Sequence, residues 1–218
     1  CPQAAGKYIS SLYGTKKNIW IGTDEGIYIY AYATETFTYF DLTTPNNVRI
    51  TSIVNHILQD KDGNLWFSTN GQGLFRYNLS KNYLEQYEFT SAFGIVASTM
   101  ADSDNQIWAL TNQGESGVYK LNKAENKFEP FGLLYNAGNH HSQALAMLED
   151  SEQTLWLGTW ECGLQKIDKY TRQTTTYLHP TDGKGVTHIH SLMEYAPHQL
   201  LIGSDDGLLL FNTCLLYT

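Results

Sequence analysis

Apolar residues fall in short alternating runs separated by polar turns, and the runs recur in a fixed order. The segments Asn18-Ile19-Trp20-Ile21-Gly22-Thr23, Asn64-Leu65-Trp66-Phe67-Ser68-Thr69, Gln106-Ile107-Trp108-Ala109-Leu110-Thr111, Thr154-Leu155-Trp156-Leu157-Gly158-Thr159 and Gln199-Leu200-Leu201-Ile202-Gly203-Ser204 share one pattern. The Trp position recurs at 20, 66, 108, 156 and, as Leu, at 201, which gives spacings of 46, 42, 48 and 45 residues. Before each Trp lies an apolar run ending in acidic or turn residues, as in Ile53 to Asp60 followed by Lys61-Asp62-Gly63-Asn64. After it come a Gly and a further apolar run, as in Gly73-Leu74-Phe75-Arg76-Tyr77, then a polar turn and an aromatic-ended segment such as Leu84-Glu85-Gln86-Tyr87. The pattern predicts strand, tight turn, strand, loop, strand, turn, strand in each repeat.

Four short antiparallel strands per repeat, with one aromatic at a fixed place, predict an all-β chain of β-propeller blades. A helical solenoid of the same period requires 3.6-residue periodicity, which no segment shows. Five repeats are present, and the fifth stops after its third strand, so the expectation is an incomplete propeller spanning residues 1–213. Alternation on the second strand puts Trp156 and Gly158 on one face, where a large ring beside an absent side chain lets the next blade approach. The four repeat tryptophans are therefore expected to pack between blades. Ser68 and Leu110 stand where Gly22 and Gly158 do, so those two contacts are expected to be repacked.

Composition narrows the class. The chain is 42% hydrophobic and 17% charged, that of a folded domain. A net charge of −8 repels phosphate backbones and anionic lipid, which argues against nucleic-acid binding and direct membrane contact. No apolar run reaches the roughly 18–20 residues of a membrane span. Cysteines at 1, 162 and 214 form neither a CxxC pair nor a disulfide framework. The start at Cys1 suits a lipoprotein terminus or an arbitrary cut, and residues 214–218 read as a non-native tail outside the fold.

Asp60-Lys61-Asp62-Gly63-Asn64-Leu65-Trp66-Phe67-Ser68-Thr69 with Gly73 to Tyr77, and again Glu149 to Thr159, resemble the two-component-regulator propeller repeat. The likeness runs from about Tyr8 to Phe211, with departures at Tyr13-Gly14 in the first repeat and Glu194-Tyr195 in the fifth. The resemblance implies the extracytoplasmic, periplasmic sensor propeller of a hybrid two-component histidine kinase that binds an oligosaccharide. The parent would supply the remaining blades and can be dimeric. The segment itself would be non-catalytic, with neither cofactor nor metal.

Two alternatives stay open. The same Gly63-Asn64-Leu65-Trp66-Phe67 pattern also resembles streptogramin-type lyases, which use histidine in a metal-assisted site, and propellers also serve as protein-interaction scaffolds. His140-His141 and His188-Ile189-His190 are the His pairs available, and two ligands without a third make a poor metal site. Ligand contacts are expected on the loops between second and third strands and between blades, because these vary while the strands do not. That reasoning selects Asp24, Asn70, Gln72, Trp160, Glu161 and Asp205, with His140 and His141 from an inter-blade connection. Trp160 stands outside the packing repeat. It either stacks on a sugar beside Glu161 or packs on its own loop or a neighbouring blade.

Overall fold

The computed structural model describes residues 6–89, 94–111, 117–132, 143–179 and 185–215. Two compact units divide the chain, residues 1–101 and 102–218. In the first unit, β1 (Ile9–Gly14), β2 (Asn18–Thr23), β3 (Gly26–Ala31) and β4 (Thr36–Tyr39) form one antiparallel meander. A second is formed by β5 (Val54–Gln59), β6 (Leu65–Thr69), β7 (Leu74–Asn78) and β8 (Tyr83–Tyr87), and β9 (Val96–Ala101) closes the unit. The second unit opens with β10 (Ile107–Thr111), β11 (Val118–Asn122) and β12 (Lys127–Pro130). It continues with the meanders of β13 (Ala144–Glu149), β14 (Leu155–Thr159), β15 (Leu164–Ile167) and β16 (Thr174–Tyr177), then β17 (Ile189–Ala196), β18 (Gln199–Ser204) and β19 (Gly207–Asn212). The architecture is the expected one: all-β propeller blades, four strands to a repeat and three in the fifth.

Trp20, Trp66, Trp108 and Trp156 sit at equivalent places on the second strands and are buried. Trp20 packs with Val54, Ile57, Phe67 and Phe75 of the following repeat, and Trp156 with Ile189, Leu200, Ile202 and Phe211. The glycine beside Trp20 and Trp156 does what its absent side chain allows. A Cβ at Gly158 would stand 2.5 Å from Ile189 Cγ2, and one at Gly22 2.9 Å from Val54 Cβ. In the second repeat Ser68 replaces the glycine, and its hydroxyl meets Thr99 Oγ1 on β9 at 2.6 Å. The repacking is thus a buried hydrogen bond.

The acidic residue at the end of the first strand does more than mark a turn. Asp60, Asp102 and Asp150 each accept two backbone N–H groups of the turn on one oxygen. The other oxygen accepts the indole Nε1–H six residues on, at 2.8, 3.0 and 2.7 Å from Trp66, Trp108 and Trp156. A buried indole N–H needs a partner, and a carboxylate spends both its oxygens on strand, turn and ring together. This clasp explains why an acid precedes Trp by six in three repeats.

Each first strand whose register is resolved starts with a bulge: β1 between Ile9 and Ser11, β5 between Val54 and His56, β13 between Ala144 and Ala146, β17 between Ile189 and Ser191. Bulges re-aim side chains. Ser10 and Asn55, the extra residues in β1 and β5, reach the carbonyls of Val54 and Val96 on the next repeat's first strand. In β17 the extra residue is His190, which points elsewhere.

Candidate functional site

The connections between second and third strands share one framework. In the second repeat Thr69 Oγ1 bonds Gly73 O and Gln72 N, and in the fourth Thr159 Oγ1 bonds Gly163 O and Cys162 N. Asn70 bridges Ile95 just as Trp160 bridges His188. Gly71 has a φ of 111°, and its counterpart Glu161 has 112°, a backbone region ordinarily left to glycine. The two loops thus have matching hydrogen bonds and different side chains. The fourth repeat holds Trp and Glu where the second has Asn and Gly.

Around Trp160 the fifth repeat supplies three polar groups. The indole stacks on His188, ring centroids 3.8 Å apart and planes 26° from parallel, and meets His190 edge-on at 6.3 Å. Trp160 nonetheless stays 39% exposed, so one face is covered by imidazole while indole surface remains open. Asp205, from the β18–β19 turn, joins both imidazoles: Oδ2 to His188 Nδ1, and Oδ1 to His190 Nε2 at 2.6 Å. These two bonds, that of His188 first and His190 next, hold the Asp205 carboxyl below the usual carboxylate range. An ionised Asp205 makes the facing nitrogens donors, which leaves His188 Nε2 and His190 Nδ1 as acceptors when the rings are neutral. Glu161 is exposed beside Trp160, its N–H held by Thr187 O at 2.7 Å. Indole face, carboxylate and imidazole edges together suit a polyhydroxylated ligand.

The structure places the remaining candidates in other settings. Gln72 turns both ends of its amide to the chain, accepting from Thr51 N and Ser52 N and donating to Arg49 O. It clamps an inter-blade connection. Asp24 stands where Asp205 does in its own repeat, and its carboxylate accepts the Tyr8 N–H at 3.1 Å. Asn70 is exposed beside its bridge to Ile95. His140 and His141 lie outside the described residues. Of the selected residues, Trp160, Glu161 and Asp205 are thus brought together, and the histidines joining them, His188 and His190, are the pair that sequence reasoning set aside as weak metal ligands. The signal was their i, i+2 spacing at a strand start. What it does not show is that Asp205, selected separately from the β18–β19 turn, joins both rings.

Residues 47–71, which hold the Asp60–Trp66 clasp and the following loop, match the family described as two component regulator propeller. Over those residues the chain is similar to the two component regulator propeller repeat. Histidine kinase P4 of Formosa agariphila is 27% identical over 216 aligned residues, covering 94% of this chain and 15% of that protein. The extracellular domain assigned to a hybrid two component system of B. thetaiotaomicron superposes with a TM-score of 0.73 at 24% identity, over 94% of this chain and 26% of that one. Virginiamycin B lyase from Staphylococcus aureus shares the fold at a TM-score of 0.64 and 17% identity, over 95% of this chain and 70% of the lyase. The propeller repeats here thus span a small part of the first two relatives.

Proposed function

We propose that this chain is a ligand-sensing segment of the periplasmic propeller of a hybrid two-component histidine kinase, and that it binds an oligosaccharide at Trp160. The observation that carries the reading is the fourth-repeat loop. It keeps the bonding of its second-repeat counterpart, leaves the Trp160 indole exposed, and holds Glu161 in a glycine conformation beside it. Strain of that kind persists where the side chain serves something other than the fold. The relatives support the setting: one is named a histidine kinase and another is an extracellular domain of a two-component system. On this reading the segment supplies contacts and a frame, the remaining blades and the kinase belong to the parent chain, and no chemistry is performed here.

The test is glycan-array binding followed by titration on the complete parent protein. Trp160→Ala is expected to weaken binding at least tenfold and to leave the melting temperature within about 2 °C. Unaltered affinity would return Trp160 to packing against His188. Metal-dependent turnover of a cyclic depsipeptide would instead identify a lyase.

A further inference from the structure

The first repeat keeps the tryptophan of the clasp and lacks its acid. Gly14 stands six residues before Trp20, where the later repeats have Asp60, Asp102 and Asp150. Trp20 is 3% exposed, and its Nε1–H has no hydrogen-bond partner. Thr15 takes over part of the lost work, its hydroxyl accepting the N–H groups of Lys17 at 3.3 Å and Asn18 at 3.0 Å. It does not reach the indole. A side chain at Gly14 would meet open space, with no atom within 4 Å of its Cβ, and Gly14 itself is exposed. Gly14, Thr15, Lys16, Lys17, Trp20 and Gln59 line a single open cavity of about 710 Å³.

The charge of the turn changes with the residue. Asp60 and Asp62 of the second repeat, Asp102 and Asp104 of the third, and Asp150 and Glu152 of the fourth correspond to Gly14 and Lys16 here, with Lys17 following. Three carboxylate-bearing turns thus have a counterpart with two exposed lysines and a buried donor. A buried indole N–H without an acceptor is costly, and a ligand oxygen can restore what the chain omits. We infer that the turn beside Gly14 is a binding site for a small aliphatic carboxylate. The ligand's oxygen would accept from Trp20 Nε1, as an Asp oxygen does in the sister repeats, with Lys16 and Lys17 supplying the opposing charge.

The experiment is thermal melting of the protein at its natural chain length, in sodium acetate against sodium chloride at equal ionic strength and pH 7. Binding to the folded state alone raises the melting temperature in a saturable way. The wild type is expected to show that rise. Gly14→Asp, which supplies the carboxylate from the chain, is expected to melt higher in chloride and to lose at least two thirds of the acetate response. The double variant Lys16→Ala, Lys17→Ala leaves the clasp positions untouched and is expected to need at least threefold more acetate for half its effect. An acetate response in Gly14→Asp as large as in the wild type, a double variant with unchanged acetate dependence, or no saturable rise in the wild type, would each overturn the assignment.

Discussion

Trp160 and Glu161 show how single substitutions turn a repeated loop into a candidate site. Thr69 and Thr159 make the same two bonds to their loops, so the backbone path is set before the variable side chains are considered. Within that path Gly71 is relaxed at a φ of 111°, and Glu161 is strained at 112°. Such strain costs about 1–3 kcal/mol, and glycine returns about 0.5–1 kcal/mol of it through the entropy of the unfolded chain. Glu161→Gly is therefore expected to raise stability by about 1 kcal/mol in denaturant melts. The same substitution is expected to weaken glycan binding severalfold by removing a carboxylate beside the indole. A variant that loses stability would show that Glu161 serves the fold, which would remove the argument for a site there.

Between strands, the glycine on β14 sets how closely β17 can pack. A Cβ at residue 158 would lie 2.5 Å from Ile189 Cγ2 and 3.0 Å from Ile189 O, and the second of these is backbone that cannot rotate away. Overpacking of this kind costs about 1–3 kcal/mol. Gly158→Ala should lose that much, and Ile189→Ala in the same chain should recover part of it, since the two positions touch and their effects will not add. Additive losses in a double-mutant cycle would mean that the backbone approach, and not the methyl, sets the contact. The first-strand bulges act on the same joints: they aim Ser10 and Asn55 at the following strand, and in β17 they deliver His190 to Asp205.

At the scale of the chain, apolar residues are exposed in the first and fifth repeats. Leu208 is 73% exposed, Leu210 50%, Met193 56% and Tyr195 63% in the fifth, and Tyr8 68%, Ile9 51% and Leu12 65% in the first. Val54, the equivalent of Ile9, and Leu74 and Leu164, the equivalents of Leu208, are buried. Exposed apolar faces and a free strand edge favour association. Residues 1–213 alone are expected to self-associate in light scattering, and Leu208→Lys with Leu210→Lys to reduce it. On the proposed reading, extending the chain with the parent's further blades is expected to yield a monodisperse species. A monodisperse, cooperatively melting monomer from residues 1–213 would show that the five repeats satisfy one another unaided.

What the sequence determined was everything periodic. The Trp spacing, the small residue two positions on in four of the five repeats and the turn chemistry recur because the blades solve the same packing problem, so the copies report one geometry. Even the acid six residues before Trp was visible, as a turn residue; its bond to the indole was not, because a hydrogen bond across a hairpin leaves no period of its own. The candidate site was legible at Trp160 and Glu161, where it broke the repeat, and at Asp205, on a loop that varies between repeats. Gln72 looked equally available and is consumed by three backbone contacts with Arg49, Thr51 and Ser52. His188 and His190 looked like an incomplete metal pair and are joined through Asp205, fifteen residues beyond the second. Tertiary structure decided these assignments because a polar side chain takes the partner that folding brings within about 3 Å, and neither that distance nor a bulge that turns His190 is written in the local pattern.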